Sequence, residues 1–181
     1  MGNHIFLKMI YEIEVCLEQE LYMSALMLAL TIPDICGKAE YPKDGNTSRY
    51  IKWFNNYMEQ YKSTPSIYGF DMPFLSGEVV YNLRNNMLHS GNPNIEAKKI
   101  NDELCKIEQF ELRFEKDFSG DTSHVSYGAG MRIIERGYIV NAYLLCHRLC
   151  ETAKGYFQTN TDKFDFFNYK IIENGEEIQE P

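Results

Sequence analysis

The chain has 181 residues, 44% hydrophobic and 14% aromatic, which is enough apolar surface for one sizeable core and too little length for two ordinary domains. Its 18 lysines and arginines stand against 26 aspartates and glutamates, a formal net charge of −8. That balance excludes the broad basic face needed for nonspecific duplex binding and leaves room only for a local basic site.

No apolar run approaches the roughly 18 residues that cross a bilayer. The start, Met1 to Phe6, lacks the charged-then-apolar order of a signal peptide, and Phe6 breaks the myristoylation pattern. The five cysteines are scattered among apolar neighbours and read as reduced thiols. The expectation is a cytoplasmic protein with no membrane partner.

Ile5, Phe6, Met9, Ile10, Ile13 and Leu17 recur at three- and four-residue spacing and predict an amphipathic first helix. Residues 21 to about 37 predict a largely buried second helix, kinked or broken near Thr31 because Pro33 has no amide hydrogen and crowds the preceding turn. Thr31, Asp34 and Lys38 lie around that break, and Asp34 is carried forward as a candidate substrate-binding residue. Residues 48–61 pattern as a third helix. Arg49 and Lys52 open it beside Tyr50 and Trp53, a basic-aromatic mixture that can hold a single-stranded base and its phosphate, or can merely flank core aromatics with solvated charge.

After a loop at 63–73, Ser76 is placed to cap a fourth helix and Gly91 to end it in a left-handed turn, with Leu75, Val79, Leu83 and Met87 as its buried stripe. The period then changes. Phe110, Leu112 and Phe114 alternate with Glu111, Arg113 and Glu115, as on a half-buried strand. A small antiparallel sheet is expected, with partner strands at 124–127, 131–135 and 138–140 and a tight turn at Arg136-Gly137. Asn141 reads as the N-cap of a last long helix whose apolar face runs from Ala142 to Phe157.

Cys146-His147-x-x-Cys150 falls short of a structural metal site, which needs four ligands, so both cysteines read as core and no metal is expected. Phe164, Phe166, Phe167 and Tyr169 are expected to pack back on the domain. The resulting architecture is mainly α, a helical bundle with a small antiparallel β-sheet before the last long helix. One domain spans 1–172, with the sheet insertion at 93–141, and a flexible acidic tail covers 173–181.

The most informative segment is Leu83-Arg84-Asn85-Asn86-Met87-Leu88-His89. On the fourth helix Asn85 and His89 are four residues apart and share a face with Asn82 and Glu78. Arg84 points roughly 140° away from His89, but its long side chain has the reach to swing toward that stripe. A histidine can take a proton from a ribose 2′-hydroxyl or give one to a departing 5′-oxygen, the two transfers that metal-free RNA cleavage requires. An arginine can offset charge building on the phosphate.

Arg84-Asn85 followed by three residues and His89 resembles the Arg-polar-x-x-x-His motif of HEPN (higher eukaryotes and prokaryotes nucleotide-binding) domains, and the resemblance extends over roughly the first hundred residues. It implies a HEPN-like bundle and a metal-independent endoribonuclease without a cofactor, its motif helices paired across a homodimer. It also implies a toxin, antiphage or RNA-processing setting, with an antitoxin protein among the partners. Carried over, it makes Arg84, Asn85 and His89 the catalytic set: His89 as acid or base, Arg84 on the phosphate, Asn85 orienting His89 or substrate. The substrate would be single-stranded or loop RNA, left with a 2′,3′-cyclic phosphate. The sheet departs from the minimal family bundle. The rival reading is a noncatalytic helical dimer module that binds a nucleotide or a protein partner.

Overall fold

Pro33 decides how the first helices pack. The computed structural model describes residues 3–61, 72–116, 120–166, 172–173 and 176–177. In it α1 (Asn3–Glu18) turns through Glu20, at φ 59°, into α2 (Tyr22–Ala29). The chain breaks at Leu30 and Thr31, and α3 (Ile32–Glu40) begins with Pro33 in its first turn, where no amide hydrogen is required. Thr31 Oγ1 donates to the Leu28 carbonyl at 2.7 Å and the Tyr50 hydroxyl to the Leu30 carbonyl at 3.0 Å. The Leu30 carbonyl at the break is thereby satisfied inside the core.

Two glycines then bring three helices into backbone contact. α4 (Asn46–Tyr57) lies between α3 and α5 (Gly77–Ser90). A Cβ on Gly37 would stand 2.7 Å from the Arg49 carbonyl oxygen, and one on Gly77 would stand 2.7 Å from that of Ile51. The Gly77 amide also donates to Asn55 Oδ1 at 2.7 Å. Only glycine permits such approach, and it draws Asp34, Arg49 and Arg84 toward one junction.

The ends of α5 follow the sequence expectation: Ser76 Oγ accepts from the Val79 amide at 3.3 Å, and Gly91 closes the helix at φ 63°. The chain then runs back along α5. Glu78 Oε2 accepts from the Asn101 amide at 2.8 Å, Asn82 Oδ1 from the Glu96 amide at 3.1 Å, and Asn86 donates to the Asn94 carbonyl. The polar row at four-residue spacing thus straps down the returning segment.

β1 (Gln109–Arg113), β2 (Thr122–Tyr127) and β3 (Ile133–Asn141) form a sheet in the order β1-β3-β2. This corrects the antiparallel expectation. β2 pairs antiparallel with β3, but β1 pairs parallel with it, Phe110 opposite Tyr138 and Leu112 opposite Val140. Alternating residues determine which face meets the core and carry no information about the direction of the neighbouring strand. The expected turn at Arg136-Gly137 is absent as well, and β3 runs straight through it. Gly137 instead lies against the His124 imidazole, whose Cε1 would be 2.0 Å from an added Cβ. The chain reverses between Gly128 and Met131, where Gly130 and Met131 take φ 72° and 59°.

Asn141 Oδ1 accepts from the Leu144 amide at 3.1 Å and starts α6 (Ala142–Thr159), which packs against α1, α2 and α3. Phe6, Phe157 and Phe164 meet in tilted and edge-on contacts in the core, and Trp53 and Tyr57 meet Tyr156 edge-on. Cys146 and Cys150 are buried here, and burial pushes both thiols up. Phe166 stacks on Phe164 as expected, whereas Phe167 and Tyr169 lie outside the described residues. Most of the 63–73 loop and of the 173–181 tail also lies outside them. Within that tail, Glu173 pairs antiparallel with Glu176. No helix among the described residues is long and apolar enough to cross a membrane, and no group of three or more His, Cys, Asp or Glu among them is placed to hold a metal ion.

Asp121 ties the sheet to α6. One oxygen accepts the Asn141 backbone amide at 2.7 Å; the other accepts the Tyr138 hydroxyl at 3.3 Å and lies 4.0 Å from Arg148. Burial outweighs these partners and holds its carboxyl above the ordinary value. The fold therefore favours protonated Asp121. That contribution is fully present below the unfolded value of about 3.9 and lost as pH rises through the folded one. Asp121→Asn keeps the acceptor without the charge and is expected to equal or exceed wild type in denaturant melts at pH 7, its advantage shrinking toward pH 3. Asp121→Ala is expected to lose about 1–3 kcal/mol by stranding the Asn141 amide. An asparagine variant weaker than wild type at pH 7 would mean that attraction to Arg148 outweighs burial.

Candidate functional site

Asp34 sits in the first turn of α3, at the positive end of that helix, and faces arginines from two other helices. Arg84 on α5 donates from Nη2 to Asp34 Oδ2 at 2.8 Å and from Nη1 to Asn85 Oδ1 at 2.9 Å. Arg49 on α4 brings Nη2 to 3.8 Å from the other Asp34 oxygen. The three charged side chains are 23%, 18% and 17% exposed for Arg84, Asp34 and Arg49, so the junction is shielded yet reachable from solvent. Asp34 Oδ1 and the Nε atoms of both arginines are buried without a hydrogen-bond partner.

An aromatic floor supports this cluster. Tyr50 is fully buried, its ring 5.1 Å from that of Tyr81 in edge contact, and Tyr81 accepts from Thr47 Oγ1 at 2.9 Å. Burial first, and then the negative charge of Asp34, push the Tyr50 phenol well up, so it stays a neutral donor to Leu30. The hydroxyl thus bonds at the α2–α3 break, to a carbonyl four residues before Asp34 in the first turn of α3.

The expected site residues divide into those gathered here and those left elsewhere. Arg84, Asn85, Asp34 and Arg49 come together. Lys52 does not: its Nζ lies 2.6 Å from Asp44 and over the Tyr41 ring, so it serves the α3–α4 loop. Lys38 lies over the Phe166 ring. Arg84 reaches one member of the polar stripe, Asn85, and turns its other nitrogen to Asp34, while Asn82 and Glu78 are taken up by the returning segment. His89 is exposed in the last turn of α5, about 7.5 Å along the axis and roughly 140° around it from Arg84. The helix by itself does not place the two side by side.

Sequence reasoning names Asp34, Arg49 and Arg84 singly and has no means of joining the first to the last, fifty positions on. The available signal is indirect: Gly37 and Gly77, set within helical patterns, mark places where a neighbouring backbone comes close. No family model, no curated protein and no solved structure matches the chain.

Proposed function

We propose that the protein is a metal-independent endoribonuclease of HEPN type, acting as a homodimer on single-stranded or loop RNA. The observation that carries this reading is the setting of the motif. Arg84 and Asn85 are hydrogen-bonded at a half-buried, positively charged junction, while His89 stands free for solvent at the end of the same helix. In the reaction the ribose 2′-oxygen attacks the adjacent phosphorus, so the P–O2′ bond forms and the P–O5′ bond breaks. The products are a 2′,3′-cyclic phosphate and a 5′-hydroxyl. His89 takes the 2′-hydroxyl proton or hands one to the leaving 5′-oxygen, Arg84 offsets the charge growing on the phosphoryl oxygens, and Asn85 orients its neighbours.

Asp34 holds Arg84 away from the His89 of its own chain. Two α5 helices side by side would present both an Arg84 and a His89 to one strand, which is the reason for assigning a dimer. A HEPN-like bundle, a cytoplasmic setting and a role as toxin or antiphage effector, restrained by an antitoxin protein, belong to the same reading. The test is incubation of pure protein with mixed-sequence RNA in excess chelator, with identification of the new ends. Cyclic-phosphate ends, lost in Arg84→Ala and His89→Ala, are the expected result. No cleavage by any form, with measurable binding of a nucleotide or protein, would replace the nuclease by a noncatalytic module.

A further inference from the structure

We propose that Arg49 and Arg84 together bind one phosphate group and that Asp34 is the positioning residue holding both guanidiniums at it, an inference that rests on the nuclease reading for its substrate but not for the site. Each guanidinium carries five donors in a flat fork suited to phosphate oxygens. The bonds at the junction use few of them: Arg84 gives one to Asp34 and one to Asn85, and Arg49 stops 3.8 Å short of Asp34 Oδ1. One carboxylate between two guanidiniums leaves a surplus of one positive charge, within a chain whose formal net charge is −8. Two like charges at a junction about one-fifth exposed repel more strongly than in water, and a bound anion relieves that repulsion.

Asp34 itself repels phosphate, so its part is to hold the arginines rather than to touch the ligand. It contacts both of them from α3, and its helix is locked to α4 through Gly37. This yields an unusual expectation. Neutralising Asp34 raises the local charge by one and favours ground-state binding, yet it frees Arg84 from its tether and slows the chemical step. A carboxylate with a purely structural role would show no such opposition between binding and rate.

The phosphate could belong to an RNA backbone or to a free nucleotide, and two probes separate them. A labelled 2′-O-methyl RNA oligonucleotide, which lacks the attacking hydroxyl, is titrated by fluorescence anisotropy across a salt series, with adenosine 5′-monophosphate as competitor. Arg49→Ala is expected to bind the oligonucleotide about tenfold more weakly, with a salt slope smaller by about one. Asp34→Asn is expected to bind severalfold more tightly at low salt while cleaving at least tenfold more slowly, so that KM and kcat fall together. Displacement by the monophosphate at its own binding concentration assigns the site to a free nucleotide; retention of the oligonucleotide assigns it to the backbone.

Arg49→Ala with wild-type affinity and salt slope would overturn the site, and Asp34→Asn that loses affinity as Arg49→Ala does would overturn the positioning role. Should Asp34→Asn melt too low to use, Asp34→Glu takes its place, with expected wild-type affinity and slower cleavage; unchanged cleavage would overturn the role. Wild type that binds in this Arg49-dependent way but cuts no RNA keeps the phosphate site and removes the nuclease alone.

Discussion

His89→Ala is expected to slow RNA cleavage about 10²–10⁴-fold, equivalent to about 3–5 kcal/mol of barrier, while leaving the fold untouched. The two effects separate because His89 is exposed in the last turn of α5, where a surface substitution changes stability by about 0.5 kcal/mol or less. Wild-type and variant melting curves should superimpose. Arg84→Ala is expected to cleave as slowly but to melt lower. It strips Asp34 Oδ2 of a 2.8 Å partner at a site where that carboxylate is 18% exposed, leaving it only the distant Arg49. Loss of cleavage in both variants, with loss of stability in one, would assign the motif to chemistry. A His89→Ala protein that cuts RNA at the wild-type rate would remove His89 from the mechanism and the nuclease reading with it.

Gly37→Ala is expected to cost about 2–3 kcal/mol and to lower the melting temperature by about 5–10 °C. The added carbon would lie 2.7 Å from the Arg49 carbonyl oxygen and 3.0 Å from its carbonyl carbon, and backbone atoms of a helix cannot rotate aside. α3 and α4 must part. Asp34 is one turn from Gly37 on α3, so the parting widens its 3.8 Å approach to Arg49, and cleavage should fall even at temperatures where the variant stays folded. Gly155→Ala supplies the opposite sign. It sits inside α6 with nothing within 4 Å of an added Cβ, so the helix gains about 0.5–1 kcal/mol. A Gly37→Ala protein that melts like wild type would show slack between the helices and defeat this account of how the site is aligned.

Helix ends were legible in the sequence because they are local. Ser76, Gly91 and Asn141 each act within four residues of themselves, through a side-chain acceptor or a left-handed φ, and each caps the helix its position predicts. Pro33 likewise breaks its helix without help from the rest of the chain. A residue whose role depends on a distant partner carries no such local signal. Gly137 has turn chemistry, but its neighbour across the ladder is His124, whose ring fills the space a side chain would occupy, so it stays inside β3. Phe110 and Leu112 announce a strand and its half-buried face, yet the parallel direction of its pairing with β3 has no signal in that alternation.

The same division runs through the site. Period and spacing alone determined that α5 would carry Arg84, Asn85 and His89 near its end, because a helix converts sequence distance directly into angle and rise. Only the tertiary structure decided which way Arg84 turns. Its guanidinium bonds to Asp34, which is brought there by a proline break and a glycine contact whose effects converge only after three helices have packed. Charge pairing at short range is strong but has no signature along the chain, so the Asp34, Arg49 and Arg84 junction became visible only when the backbone had closed around it.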